Sequence, residues 1–566
     1  MVEKVLIIGG VATGPKAAAR LRRLDNDVEI TIIEKGDLLS YAGCGMPFYI
    51  ADVVEEYDAL LKTTTGQVRD ADYFRETKDI EILDRTEALS IDRERKKVKV
   101  LDLRNQEEKE LPYDKLVLAT GASPFVPKME GMELEGVHRL YTPHHARAIK
   151  QALEAGASKV AIVGGGLIGM ETCGAFIERG IQVTILEMMP NLVPNLMDTE
   201  MALLLEKYLR ENGAKIVTGS PVSRILDDGE GKVAGVETAD GRKVESDMVI
   251  VAIGVRPNTK LAVESGLEAG PTRAIAVNEF LQTTDPDIYA GGDCVECKHL
   301  VTGEKVYAPM GSTANKHGRI IANNIKGMKD EFPGVLSTAV FKILDYNCGS
   351  TGLTEKQARE NGFDVVTCLC PKHDYSHYIP GSKTFVIKLV ADKSGKLLGC
   401  QVVGEGEGVK RIDVAATVLN YGGSVKELAD LDLAYAPPYS TAIDAIANAA
   451  NVIRNKIDEL AHGVDPVTLK EKLESGEDFM FIDCRGRPAY EANTIKTEQT
   501  VNIPLTQLKE EYERLPEDKE IVFFCNTSIT AYIAERVMRN MGFENVKFCD
   551  GSLQAWPFST DLLKKD

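Results

Sequence analysis

The chain has 566 residues, 44% apolar and 27% charged, and its 67 Lys and Arg against 86 Asp and Glu leave a formal charge of −19. That length suits three or four domains of roughly 150 residues, and the acidic balance argues against a nucleic-acid or anionic-membrane surface. No apolar stretch approaches the roughly 20 residues of a membrane span. The start, MVEKVLIIGG, reads as a strand running into glycines rather than as a signal peptide, and eleven cysteines are sparse for a secreted disulfide scaffold. A cytoplasmic globular enzyme is expected.

Residues 4–8, KVLII, form an apolar strand followed by Gly9-Gly10-Val11-Ala12-Thr13-Gly14 and an Ala- and Arg-rich helix. The next strand, EITIIE, ends at Glu34, 25 residues beyond Gly9. A dinucleotide needs this order: glycines let the backbone approach a pyrophosphate, the helix start offers N–H groups, and the acid takes ribose hydroxyls. Val11 stands where the middle glycine usually falls, so this copy is imperfect. The second copy is cleaner. Residues 159–163 are a strand, Gly164-Gly165-Gly166-Leu167-Ile168-Gly169 fits G-x-G-x-x-G, and QVTILE ends at Glu187. An acid there favours NADH, because it repels a ribose 2′-phosphate.

Two further segments, LVLATG at 116–121 and TDPDIYAGGD at 284–293, complete the pattern. With both Gly-rich folds they resemble the two-dinucleotide-binding flavoprotein superfamily, over residues 1 to about 455. The resemblance implies FAD in the first fold and NADH in the second. It implies cofactor contacts at Gly9, Val11, Ala12, Gly14, Glu34, Lys35, Ser40 and Ala88, and at Thr120, Gly121 and Asp293. In the second fold the implied contacts are Gly164, Gly166, Ile168, Gly169, Glu187 and Gly254.

The chain carries one cysteine after the first fold, in Ser40-Tyr41-Ala42-Gly43-Cys44-Gly45-Met46-Pro47, and not the usual pair of this superfamily's disulfide reductases. That resembles its single-cysteine branch, which includes coenzyme A disulfide reductase, NADH-dependent persulfide or polysulfide reductase, NADH oxidase and NADH peroxidase. Gly43 departs from the Asn usual before this cysteine. A thiol of pKa near roughly 8.5 must be depressed to work as a thiolate. Cys44 is then expected to attack a sulfur–sulfur bond and be restored by reduced FAD. Ala12 replaces the His that oxidases and peroxidases tend to place in the first turn.

Tyr435-Ala-Pro-Pro-Tyr439-Ser440 reproduces the YAPPYS motif of the coenzyme A disulfide reductases, and Tyr378 in HYIPG matches the first Tyr of their YYPG segment. The resemblance implies a homodimer in which Tyr378 and Tyr435 of one subunit protonate the departing thiolate at the other's site, with Tyr439 an interface aromatic. Arg20 and Arg23, i and i+3 on the first helix, match where the family grips coenzyme A phosphates. Cys294-Val-Glu-Cys297-Lys-His299 looks like part of a metal site but has no second cysteine pair at zinc spacing, so no metal is expected. Cys368, Cys370, His373 and His377 read as a strand-end coincidence rather than a thiol relay.

Strand-like residues 385–390 and 397–403 flank a turn, and residues 411–421 and 439–453 have helical periodicity. Residues 455–465 read as a linker. Beyond it FIDCRGRPAYE, VNIPL, IVFFC and GSLQAW resemble a rhodanese domain, with a strand at 521–525 and a helix at 531–540. Its Cys525-Asn526-Thr527-Ser528-Ile529-Thr530 loop lacks the family's Gly (Ser528) and Arg (Thr530), and Cys484 replaces an aliphatic residue, supplying a second thiol or filling core.

The expected architecture is α/β: an FAD domain at 1–150 and 283–335, an NAD domain at 151–282, an α+β dimerisation domain at 336–455 and a rhodanese-like α/β domain at 464–566. The expected activity is NADH-dependent reduction of coenzyme A persulfide, polysulfide or coenzyme A disulfide, with coenzyme A a bound substrate, catalytic Cys44, Tyr378 and Tyr435, and a sulfur-accepting Cys525. The alternatives are an electron-transfer flavoprotein serving a protein partner and an NADH oxidase.

Overall fold

Parallel strands covered on both faces need continuous apolar runs, and the amino-terminal third supplies them. In the computed structural model, which describes residues 2–563, Lys4–Ile8 lies between Lys115–Leu118 and Glu29–Ile33. Ile288–Ala290 and Glu81–Leu83 form the two edges of this parallel sheet. Because the central strand is first in sequence, a crevice opens beyond the carboxyl ends of these strands, where the Gly9–Gly14 turn begins the helix Thr13–Leu24. The helix Gly311–Ile325 lies against that first helix, so closely that a Cβ on Gly318 would stand 2.6 Å from the Thr13 carbonyl.

The chain divides into two compact units. One holds residues to Gly164, Glu178–Gln182 and Val222–Val335; the other holds Gly165–Ile177, Val183–Pro221 and the chain from Leu336 on. Besides the sheet above, the first unit contains the antiparallel meander Thr86–Asp92, Lys97–Asp102 and Glu107–Pro112. It also contains the parallel pair Lys159–Val163 and Met248–Val251.

In the second unit five antiparallel strands follow the order Ala339–Ile343, Tyr346–Gly352, Leu397–Glu405, Thr384–Asp392, Val365–His373. The helices Arg411–Asn420 and Ala445–Ile457 accompany them. A second, parallel sheet of this unit runs Gly463–Val464, Val546–Cys549, Glu520–Phe524, Phe479–Asp483, Thr500–Asn502. Its strands alternate between two cores. The Phe481 and Phe524 rings lie tilted with centroids 4.2 Å apart in a cluster with Trp556, while Ile482 and Phe523 face a cluster with Met538 and Phe548.

Two expectations are corrected. Residues 439–444 are not helical: Asp444 instead caps the helix that begins at Ala445, accepting from the Ile446 N–H, and Ser440 Oγ donates to its carboxylate at 2.7 Å. The expected linker from residue 455 is shorter, since that helix continues to Ile457 and a strand begins at Gly463. The Lys456 ammonium on the helix donates to the Thr367 carbonyl at 2.8 Å and pairs with Asp550, so this stretch is anchored rather than free.

Buried in the second unit, Lys388 faces Glu200, Glu355 at 2.7 Å and Asp198 at 3.0 Å. Burial opposes its charge, but the three carboxylates outweigh that and keep it protonated. Removing one partner of a buried ionic cluster leaves uncompensated charge. Lys388→Met should therefore destabilise the protein by about 3–5 kcal/mol in urea unfolding. A loss smaller than that of an ordinary surface substitution would show that the acids are neutral without it.

Candidate active site

The first turn is shaped for a close backbone approach. Gly9 has φ +116°, and a Cβ there would lie 2.0 Å from the Ala119 carbonyl oxygen. A Cβ on Gly14 would lie 1.9 Å from the Gly9 oxygen. The second turn repeats the constraint, with φ +110° at Gly164 and a Cβ 2.4 Å from the Ala252 oxygen. Gly166, the counterpart of Val11, has open space where a Cβ would project. Protein packing therefore leaves room for a side chain at this position of the turn, whose glycine otherwise serves the approach of a pyrophosphate. Val11 and Ala12 are half-buried along it.

Both acids are held in the same way. Glu34 accepts from the N–H of Gly10 and of Gly36, each at 2.7 Å. Glu187 accepts from Gly165 at 2.7 Å and Met189 at 2.8 Å. The symmetry extends further, because Ser40 donates its N–H to Gly10 and Val193 to Gly165, both at 2.9 Å and both with φ +45°. Positive φ strains a β-branched valine in particular. These carboxylates, each fixed by two N–H donors, suit ribose hydroxyls and repel a 2′-phosphate.

The remaining predicted cofactor residues divide. Thr120 and Gly121 are clamped by Asn258: Thr120 Oγ1 donates to the Asn258 carbonyl at 2.7 Å, Asn258 Nδ2 donates to the Thr120 carbonyl at 2.8 Å, and the Asn258 N–H donates to Gly121. Gly254 has φ +100° and accepts from the Phe125 N–H. Ile168 is half-buried and Gly169 buried at the start of the helix Leu167–Glu178. Ala88 is half-buried at a register shift of its strand. Lys35 is turned to a surface ion pair with Glu87 at 2.8 Å.

Ser40 also joins the first turn to the segment that carries Cys44. Beyond it the Ala42 N–H donates to Leu60, and Cys44 lies exposed on the 3-10 turn Gly43–Gly45. At Gly43 a Cβ would meet only Tyr41 Cε2, at 3.8 Å, so the missing Asn of the family pattern is not excluded by packing. Asp293 closes the strand-end loop at 290–293, and burial pushes its carboxyl up. His317 fixes that loop by accepting the Gly292 N–H at 3.0 Å through Nδ1, and burial lowers its pKa to about 4. The imidazole is therefore neutral near pH 7.

Tyr378 and Tyr435 are 63% and 51% exposed in the single chain. Their loops are tied together: the Ser376 N–H donates to the Pro437 carbonyl at 3.1 Å. Buried Arg411 donates to the Asp374 carbonyl on one loop at 3.1 Å and pairs with Asp444 beyond the other at 2.9 Å. Burial opposes ionisation of Asp444, but hydrogen bonds from Arg411 and Ser440 hold its pKa below the ordinary value. Cys368 and Cys370 are buried in their strand with pKa values raised by burial, the second to about 11, which suits core packing and not a relay.

The C-terminal loop forms despite its departures. Ser528 adopts the left-handed φ of +74° at the position of the missing Gly, and its Oγ donates to the Cys549 carbonyl at 2.9 Å. The helix begins at Ile529, two residues earlier than expected, and the strand ends at Phe524, just before Cys525. A cation does stand at the loop: Arg485 donates to Asn526 Oδ1 at 2.9 Å, while its other arm pairs with Asp483 at 2.7 Å. The Cys484 thiol and the backbone N–H groups of Ala531, Thr527 and Thr530 surround Cys525 Sγ and favour its thiolate. Against the cost of burial, these pull its pKa down to about 5.

Other candidates are structural or peripheral. Arg20 Nε donates to Asn323 at 2.8 Å, Arg23 is exposed, and Arg22 between them is engaged by Asp79. Cys294 Sγ donates to the Leu118 and Gly291 carbonyls, Cys297 is buried 4.0 Å from His317, and His299 accepts from Val301. Among the described residues no cluster of three such side chains is placed to hold a metal.

The fold and the two glycine turns define a chain of the pyridine nucleotide-disulphide oxidoreductase family, to which this protein belongs. The family model matches residues 3–318, its dimerisation domain 338–447, and a rhodanese-like domain 465–557. An NADH oxidase of Methanocaldococcus jannaschii is 38% identical over 80% of this chain and 99% of its own length. An NAD(P)H coenzyme A polysulfide/persulfide reductase of Pyrococcus horikoshii is 36% identical over 80% of this chain and 99% of its own. Two solved structures also span the C-terminal unit. A NAD-dependent persulfide reductase from A. fulgidus aligns with a TM-score of 0.93 and 43% identity over 98% of this chain and 100% of that one. Reduced Bacillus anthracis CoADR-RHD aligns with a TM-score of 0.91 and 33% identity over 98% of both. The expected class and fold are thereby met, and so is dependence on FAD and a nicotinamide dinucleotide, NAD(P)H. No helix among the described residues is long and apolar enough to cross a membrane.

Sequence reasoning missed Asn258, His317, Arg411 and Glu171. Only Glu171 had a local signal, as an acid inside the otherwise apolar run LIGMETCGAF. Burial pushes its carboxyl up to about 7. An acid raised in the fold penalises the folded state as it ionises, so the penalty is absent well below 4.5 and complete above pH 7. Glu171→Gln should raise stability at pH 8 by on the order of 2–3 kcal/mol and change it little at pH 4. Equal gains at both pH values would refute the assignment. From Glu187, kcat/KM for NADH should exceed that for NADPH by about tenfold or more; parity would show that the acid turns away from the ribose.

Proposed function

We propose that this protein reduces low-molecular-weight sulfur–sulfur bonds with NADH electrons, taking coenzyme A persulfide, polysulfide or coenzyme A disulfide. The observation that carries the reading is the likeness to a persulfide reductase along 98% of the chain, rhodanese-like unit included. Exposed Cys44 just after the first dinucleotide turn supports it. We divide the chain at the borders expected from sequence, assign it to a homodimer through the dimerisation domain, and place it in the cytoplasm, where thiol chemistry is sustained.

In this mechanism the N–H-braced Glu34 and Glu187 orient the two ribose groups, and the Gly9 and Gly164 turns admit the pyrophosphates. Bound FAD and NADH supply the electron pair that returns Cys44 to its thiolate. Cys44 attacks the substrate disulfide or persulfide and holds one half as a mixed disulfide. Tyr378 and Tyr435 act across the dimer, protonating the departing thiolate, and the Arg411–Asp444 pair keeps their loops in register. Arg20 and Arg23 attract coenzyme A phosphates, while Cys525 accepts sulfane sulfur in its ring of N–H donors.

The relative named NADH oxidase makes oxygen the acceptor to compare. Anaerobic NADH consumption should be fastest with persulfide or polysulfide, and oxygen in a parallel aerobic assay should be slower. Cys44→Ser should lower sulfur turnover by roughly a thousandfold or more. Tyr378→Phe combined with Tyr435→Phe should lower it by about a hundredfold while sparing NADH reduction of FAD. Oxygen outpacing every sulfur acceptor would favour the oxidase reading. Unchanged transfer to a protein acceptor in Cys44→Ser would favour the electron-transfer reading.

A further inference from the structure

The parallel ladder pairs Asp483 with Phe524, so the next residues on each strand, Cys484 and Cys525, emerge side by side. The Cys484 N–H and Sγ–H both reach the Phe524 carbonyl, at 3.0 and 3.2 Å. The two thiols are buried in one apolar cluster, at 1% and 2% exposure. Neighbouring strands lie about 4.8 Å apart, within the roughly 4.4–6.8 Å between the Cα atoms of a disulfide. Cys549 also sits at this end of the sheet but belongs to the cluster on its opposite face.

We propose that Cys484 is the resolving thiol of the rhodanese-like site, discharging a persulfide on Cys525 as hydrosulfide by closing a Cys484–Cys525 disulfide. The proposal rests on the reading that Cys525 accepts sulfane sulfur. Cys484 sulfur attacks Cys525 Sγ, the bond from Sγ to the outer sulfur breaks, and that sulfur leaves with the bonding pair. It carries away the Cys484 proton as hydrosulfide. The two cysteine sulfurs are thereby oxidised by two electrons and the sulfane sulfur is reduced by two. Two equivalents of a low-molecular-weight thiol, such as coenzyme A, reopen the disulfide and leave as their own disulfide. That product is a substrate class proposed above for Cys44, so the electrons come finally from NADH.

The ring of backbone N–H groups fits this sequence. With Cys525 charged, the Cys484 pKa is raised, first by the neighbouring Cys525 and then by burial. Once Cys525 carries sulfur its charge moves to the outer atom, and the brake on Cys484 is released. The N–H groups of Ala531, Thr527 and Thr530 then remain to stabilise the leaving anion.

The test uses the full-length flavoprotein with Cys44→Ser, which silences the other thiol, and one equivalent of coenzyme A persulfide without oxygen. Hydrosulfide should be released, and non-reducing peptide mapping should find Cys484 linked to Cys525. Adding Cys484→Ser should leave one extra sulfur on Cys525, abolish the linked peptide and slow hydrosulfide release about tenfold or more. Cys484→Ala, with unchanged flavin absorbance and melting temperature, should behave alike, and diamide should form the linked peptide in the wild-type chain. Sulfur retained on Cys525 with Cys484 present, or a linkage to Cys549, would overturn the proposal. If Cys525 takes no sulfur in either chain, the sulfur-acceptor reading fails and the proposal falls with it; diamide linkage would still report the thiol geometry separately.

Discussion

A hydrogen bond from the second glycine of a strand-end turn to the acid ending the next strand organises the chain twice. Gly10 donates to Glu34, and Gly165 to Glu187. Each bond fixes a carboxylate at the mouth of a turn whose first glycine lies against a neighbouring carbonyl. A charge-assisted bond is stronger than a neutral one, and here it sets the approach of turn, strand and following loop together. The shared φ of +45° at Ser40 and Val193 follows from it, since both residues return an N–H to the same glycine's carbonyl. Through Ser40 the constraint reaches the segment of Cys44.

The two cysteines given chemical roles occupy contrasting environments. Cys44 is exposed on a short turn, open to a substrate. Cys525 is buried, and its pKa is lowered first by the neighbouring Cys484 thiol and then by backbone N–H dipoles. Arg485, a cation at that loop, is committed to Asp483 and Asn526. Losing the usual Gly and Arg therefore changes how the loop is stabilised while Cys525 keeps its place after the strand. Ser528 accepts backbone strain of about 1 kcal/mol or more in the left-handed region, offset by its hydrogen bond to Cys549.

The tyrosine loops depend on non-local polar contacts. Arg411 joins residues on three segments, and its neighbours Asp374 and Asp444 sit far apart in sequence. Asp444 has two duties, capping a helix and pairing with Arg411, which explains why the apolar periodicity before it does not continue as helix. Small residues in 439–453 imitated a helical face, but satisfying a buried cation set the boundary.

The sequence by itself determined the two dinucleotide folds, the single cysteine that follows the first of them and the rhodanese-like unit. Their signals are local: glycines where a Cβ cannot fit, an acid at the following strand end, and apolar runs buried on both faces. Tertiary structure decided the rest. That Asn258 clamps Thr120 and that His317 holds Gly292 follows from contacts made between residues distant in sequence. Cys484 and Cys525 are 41 residues apart, counted from their positions in the chain, and only the parallel register of their strands makes them neighbours. Spacing along a chain encodes turns and periodic faces, whereas the meeting of distant side chains depends on which strands pair and in what register.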